Sequence, residues 1–174
     1  MRRFSVRDLT LAAMIAALYA VMCYFGNIFG LTFGPIQLRF AEALTVLPFL
    51  FPAAATPGLF VGCMVANLLS PYGVLDIVVG SAATLIAALW TSRVKRAWFA
   101  PIPPVLCNTV LVGFTLGFAE ANGFTAAFPA AWAYNGLTVG LGELVVCCVL
   151  GGLLLAALPR IGFFRSMLTS RAKS

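Results

Sequence analysis

The sequence predicts an all-α membrane protein folded as a six-transmembrane-helix bundle, and three observations predict it. The first is composition: of 174 residues, 62% are hydrophobic and 9% charged, with a mean hydropathy of +1.03, whereas about a quarter of the residues of a soluble domain are charged. The second is spacing. A bilayer core takes about 20 apolar residues per helix, so six spans use about 120 residues and leave short loops within one domain, residues 1–174, with no separate soluble unit. The third is the placement of positive charge. With six spans, Arg2, Arg3, Arg7, Arg93, Lys95, Arg96, Arg160, Arg165, Arg171 and Lys173 share one side, leaving Arg39 as the single basic residue on the other. By the positive-inside rule both termini are then cytoplasmic, in a multi-pass protein of the cell membrane.

The same charge pattern explains the net charge of +6. Basic residues flank apolar runs and are not interleaved with aromatics, so they report topology and not nucleic-acid binding. Cys23, Cys63, Cys107, Cys147 and Cys148 all lie in apolar runs without ligand spacing, and the chain has no His. They read as buried small residues, neither disulfides nor metal ligands. No Ser–base pair and no Gly-Lys dipeptide occurs, so a hydrolase and a Walker A ATPase are both excluded. The expectation is a non-enzyme without cofactor or metal.

In order along the chain, Ser5 and Asp8 have the spacing of a capping box at the head of a first span over Leu9–Phe29, too long for a cleaved signal core. Ala12, Ala13, Ala16, Ala17 and Ala20 give it small-xxx-small spacings, so one face suits close helix packing, in its own bundle or on a partner. The period then changes. Leu31, Phe33, Ile36, Leu38 and Phe40 alternate with Thr32, Gln37 and Arg39 around Gly34-Pro35, predicting an extended outer loop over residues 30–40 that acts as a lid and gives way to helix near Ala41. Residues 43–69 are interrupted by Pro48, Pro52, Pro57 and Gly58, and the charge count resolves them into two short helices turning near Phe51–Pro57. Spans over Val74–Ser92, Ile102–Ala119 and Ala131–Leu158 follow, with outer loops at Ser70–Gly73 and Glu120–Ala130. Trp132 and Tyr134 suit an interfacial aromatic belt.

Polar residues in so apolar a chain are the functional candidates, because an ionisable group at mid-span costs about 2.5–3.5 kcal/mol on insertion scales. Gln37, Arg39, Glu42 and Thr45 cluster in the stretch IQLRFAEALTVLP. Asn67 closes the third span, Asp76 opens the fourth, Asn108 lies in the fifth and Glu143 in the sixth. Glu143 is the sharpest, since it belongs to the helical stripe Gly136, Gly140, Glu143, Cys147, Gly151, whose small residues admit a backbone or leave a cavity. Asp76 also suits a helix N-terminus without any ligand, and Arg39 and Glu42, three apart, can pair locally. Against one Arg, the carboxylates Glu42, Asp76 and Glu143 leave an excess of negative charge, which favours a cationic or N–H-rich ligand, or protons.

The blocks IQLRFAEALTVLPFLFPAAATPGLFVGCMVANLL, GVLDIVVGSAATLIAA, PPVLCNTVLVG and GLGELVVCCVLGGLL, in this order, resemble the QueT family of queuosine-precursor transporters over nearly the whole chain. Ala41 stands where that family commonly carries Ser. Members are substrate-binding S components of energy-coupling-factor (ECF) transporters. The resemblance implies an S-component bundle that captures a 7-deazaguanine from outside and pairs with the membrane coupling subunit EcfT and two cytoplasmic ATPases. It implies docking on EcfT through Ala12, Ala16 and Ala20. It also implies a ligand near the outer face, where Glu143 or Glu42 accepts the guanine edge, Asp76 or the other Glu balances an aminomethyl group, and Gln37, Arg39, Asn67 or Asn108 meets the carbonyl, with Phe40, Tyr72 or Trp132 stacking on the ring. Competing expectations are an S component for another nucleobase-like or vitamin ligand, a proton-coupled transporter relaying through Glu42 and Glu143, and a structural assembly subunit.

Overall fold

A computed structural model describes residues 5–32 and 38–172, and the regular structure among these is helical throughout. Helix α1 spans Val6–Ile28. Its first turn is closed by the expected capping box: the Arg7 amide donates to Ser5 Oγ at 3.1 Å and the Ser5 amide to Asp8 Oδ2 at 3.1 Å, so two orphan amides are satisfied reciprocally. Just past its end, Gly30, with a φ of +69°, turns the chain back and suits a residue without a Cβ. Thr32 is buried and donates to the Cys23 carbonyl at 3.1 Å. The Leu38 amide then donates to the Leu31 carbonyl at 3.0 Å, bringing the two ends of the loop together. The rest of the expected lid, Phe33 to Gln37, lies outside the described residues.

Phe40–Phe49 follows as a ten-residue 3₁₀ helix, beginning one residue before the expected start at Ala41. The chain breaks at Leu50 and Phe51 and resumes as α2, Pro52–Asn67. Pro52 takes the first helical position, where its missing N–H is no loss, and this puts the turn at the head of the expected Phe51–Pro57 interval. α3 is Val74–Thr91. α4 (Ile102–Cys107) runs through a π-turn at Asn108–Val112 into α5, Gly113–Glu120. α6 (Phe128–Val145) likewise runs through a π-turn at Val146–Gly151 into α7, Gly152–Ala157. This last span starts three residues before the expected Ala131, because Pro129 is tolerated in a first turn. α8, Gly162–Ala172, closes the described chain.

Four helical stretches are long and apolar enough to cross a membrane, Val6–Ile28, Val74–Thr91, Ala97–Glu120 and Phe128–Arg160. The 3₁₀ helix and α2 are shorter, rising about 20 Å and about 24 Å at their respective pitches. The chain is therefore an α-helical membrane protein.

Two packing seams hold the bundle. In the first, a Cβ added to Gly58 would lie 2.6 Å from the Ala12 carbonyl oxygen, and one on Gly62 would lie 2.8 Å from that of Ala16, so α1 and α2 meet backbone to backbone. The alanine face of α1 expected to dock on a partner is here committed in part to its own bundle: Ala12 is buried, Ala16 and Ala20 are half-buried, and Ala13 and Ala17 are the exposed alanines. In the second seam, Gly113 faces Gly136 and Gly117 faces Trp132, with an added Cβ 2.6 Å from the opposing Cα in each case. At one end of the molecule α8 folds back on the core, with Phe164 against Phe51 at 5.7 Å between ring centroids and Met167 and Leu168 on the same cluster.

Candidate functional site

The polar residues that stand apart in the sequence converge in space, because the short helices and the π-turns aim them inward. The 3₁₀ helix places Arg39, at its N-cap, in line with Glu42 and Thr45, since three residues complete one turn. All three are buried, at 4%, 1% and 1% exposure. Asn67, Asp76, Asn108 and Glu143 are equally buried and come from α2, α3, the first π-turn and α6.

Two groups of contacts result. In the first, Asn67 is the hub: Arg39 Nη2 donates to its Oδ1 at 2.9 Å, and its Nδ2 donates to the Asp76 carbonyl at 2.9 Å and lies 3.5 Å from Cys63 Sγ. The Arg39 guanidinium also stands 3.8 Å from Asp76 Oδ2. Arg39 thus pairs across helices, with Asn67 on α2 and Asp76 on α3. Asp76 does sit in the first turn of α3, yet its carboxylate serves the ion pair. In the second group, Asn108 Nδ2 donates to Glu143 Oε1 at 2.8 Å, and the Cys147 thiol lies 3.4 Å from Glu143 Oε2 and 3.4 Å from the Glu42 carbonyl. Glu42 Oε1 accepts the hydroxyl of Tyr19. Thr45 Oγ1 donates to the Glu42 carbonyl at 2.6 Å.

Three acceptor atoms in this cluster are buried without a hydrogen-bond partner among the described residues: Glu42 Oε2, Asp76 Oδ1 and Asn108 Oδ1. Buried polar groups are nearly always satisfied, so each orphan marks a missing donor. Such a cluster can chemically accept hydrogen bonds and positive charge.

The stripe around Glu143 is packed against neighbouring backbone and side chains. Gly136 lies against the Thr109 carbonyl, Gly140 against Thr109 Oγ1, and Gly151 against Val46 and the Ala43 carbonyl. The three aromatic candidates take different positions. Trp132 stacks on Phe128 at 5.8 Å in a cluster with Phe114, and its Nε1 donates to the Val110 carbonyl at 3.0 Å. That carbonyl belongs to the first π-turn, so Trp132 braces the turn bearing Asn108. Tyr72 packs on the cluster of Ala83, Val112, Leu116 and Val139, and Phe40 is 38% exposed. Gln37 lies outside the described residues. Glu120, exposed, accepts from Asn135 at 2.6 Å.

Tyr19 and Cys147 complete the site without having been singled out for it. Tyr19 is fully buried, in a stripe of α1 that runs Ala12, Ile15, Tyr19, Cys23, Gly26. Since a buried phenol needs a hydrogen-bond partner, a tyrosine on that stripe was the available signal.

With the cluster's geometry described, the comparisons with known proteins identify the family. The family model for the QueT transporter matches residues 9–160. The chain belongs to the QueT transporter family. A curated relative, the queuosine precursor transporter QueT of Lactococcus lactis subsp. cremoris (strain MG1363), is 31% identical over 103 residues, covering 57% of this chain and 60% of the relative. The match thus spans less than two thirds of that relative's length. No solved structure matches the chain. Every described polar residue of the cluster named above lies inside the matched range.

Proposed function

We propose that this QueT-family chain is the substrate-binding S component of an ECF transporter and captures a 7-deazaguanine precursor of queuosine, the ligand class in the name of its Lactococcus relative. The observation that carries this reading is the set of orphan acceptors on Glu42, Asp76 and Asn108 beside Glu143 and Arg39. A guanine edge presents adjacent N–H donors that one carboxylate takes in bidentate fashion, and its carbonyl takes a guanidinium or amide donor. Glu42 or Glu143 accepts the guanine edge, Asp76 or the other Glu balances an aminomethyl substituent, and Arg39, Asn67, Asn108 or Gln37 meets the carbonyl. The ring stacks on Phe40 or Tyr72, while Trp132 acts through the π-turn.

In this reading six segments cross the bacterial plasma membrane, the 3₁₀ helix and α2 being the short pair, and both ends of the chain are cytoplasmic. The loop of residues 30–40 covers the ligand from outside. A coupling subunit and two ATPases supply the energy that a chain without a nucleotide-binding motif lacks. The docking surface on α1 is then the exposed Ala13 and Ala17 with half-buried Ala20 beside them, since Ala12 faces Gly58 and Ala16 faces Gly62.

Isothermal titration of the purified chain with 7-aminomethyl- and 7-cyano-7-deazaguanine, beside guanine, thiamine and riboflavin, tests the ligand class. Deazaguanine binding that weakens at least tenfold in Glu143→Gln and in Glu42→Ala is the expected result, and wild-type affinity in both variants would overturn the site assignment. The proton-coupled alternative is separated by liposomes: the chain alone is expected to bind without sustained uptake under a pH gradient.

A further inference from the structure

Away from the polar cluster, a groove on the surface changes character along its length. Its larger part, of about 450 Å³, runs beside α1 and is lined by apolar side chains alone, with Leu44 and Leu47 of the 3₁₀ helix at its floor and Met14, Leu18 and Val21 exposed at its rim. A second part, of about 350 Å³, lies between α1 and α8 and brings in Arg7, Thr10 and Ser166. The two parts share Leu11 and Met14. They form one groove, polar where α1 begins and apolar beyond.

The polar end is basic. Thr10 Oγ1 donates to the Val6 carbonyl at 3.0 Å and Ser166 Oγ to the Phe163 carbonyl at 2.7 Å, so both hydroxyls donate within their own helices. Asp8, the acid of this turn, accepts from the Ser5 amide. Arg7 is exposed, and its guanidinium has no acidic partner within salt-bridge distance among the described residues. The opposite wall, α8, adds Arg165 and contains no Asp or Glu, so the basic groups outnumber the one carboxylate and the end attracts an anion.

The apolar part has the depth of one leaflet. From Thr10 to Val21, α1 rises about 16 Å at its helical pitch, close to half of the roughly 30 Å hydrocarbon core of a bilayer, and α1 is one of the stretches long and apolar enough to cross a membrane. A soluble anion leaves the apolar part unused, and a neutral lipid leaves Arg7 unused. We infer that this groove binds one anionic phospholipid, its phosphate on Arg7 and one acyl chain along Met14, Leu18 and Val21, in the leaflet where α1 begins. Ala17 lines the groove as well, so a coupling subunit seated on the docking surface proposed above displaces the acyl chain; the lipid site itself does not depend on that docking.

Native mass spectrometry of the purified, delipidated full chain, offered phosphatidylglycerol and phosphatidylcholine with identical acyl chains, tests the assignment. One bound phosphatidylglycerol is expected, preferred about fivefold, as one Arg near an anionic headgroup provides. Arg7→Gln should abolish the preference, and Ala17→Phe, which fills the apolar part from an exposed position, should weaken retention of the lipid, with unfolding midpoints near wild type in both. Equal retention of the two lipids by the wild type, or a preference that survives Arg7→Gln, overturns the site. Displacement of the lipid by sn-glycerol 3-phosphate overturns the acyl-chain assignment and leaves a phosphate site. Retention untouched by Ala17→Phe overturns it too, and leaves the apolar part to a helix of the coupling subunit.

Discussion

Asn67 serves three partners with one side chain, joining Arg39, the Asp76 backbone and Cys63, so its loss is expected to outweigh that of any other amide in the molecule. A hydrogen bond between membrane helices contributes about 1–2 kcal/mol in model systems, and Asn67→Leu should destabilise the chain by about 2–3 kcal/mol, read as a lowered thermal unfolding midpoint in detergent. Tyr19→Phe removes a single donor from Glu42 and should lower it less. At this scale the site was legible wherever a residue was costly to bury: Arg39, Glu42, Asn67, Asp76, Asn108 and Glu143 stand out of an apolar chain by their chemistry alone. Tyr19 and Cys147 do not, because a tyrosine or cysteine in a membrane helix is ordinary until its neighbours are known. The aromatic residues gave no usable signal for the same reason, and Trp132 proved to brace a backbone carbonyl.

At the scale of elements, the 3₁₀ helix is where local sequence and tertiary structure meet. Runs of 3₁₀ longer than three or four residues are uncommon, and this one, of ten residues, persists because every residue from Ala41 to Pro48 is buried among neighbours. A period of three in Arg39, Glu42, Thr45 was visible in the sequence, whereas the helix type was not, since packing and not propensity selects it. The π-turns were equally hidden: Asn108 and Val146 begin them without any Pro or Gly to announce the change. Glycine contacts are the element-scale prediction. Gly113→Ala should destabilise strongly, because its Cβ would meet Gly136 backbone at 2.6 Å, whereas Gly152→Ala, with nothing within 4 Å, should be neutral or slightly stabilising, by up to about 1 kcal/mol as in any helix interior. Comparable unfolding midpoints for the two variants would contradict the close α5–α6 seam.

At the scale of the whole molecule, apolar runs set the helical stretches, which is why the order of elements and most of their limits could be read from sequence. The partner helix of each face could not, and the alanine face of α1 shows why: small residues suit any close neighbour, and here α2 takes much of it. Topology is checked by cysteine labelling in a cysteine-free background. Ala126→Cys, on an exposed residue of the loop before α6, should react with a membrane-impermeant maleimide in intact cells, and Lys95→Cys only after permeabilisation; the reverse pattern would invert the bundle.

The distribution of the site over the chain also fixes when it can form during synthesis. Tyr19 and Glu42 are available to one another after the first two helical segments have emerged, and the Arg39–Asn67–Asp76 group is complete once α3 begins. Asn108 must then wait for the final span to deliver Glu143. A nascent chain halted before α6 would hold the early ion pair but leave Asn108 without Glu143, so the arrival of α6 completes the polar cluster.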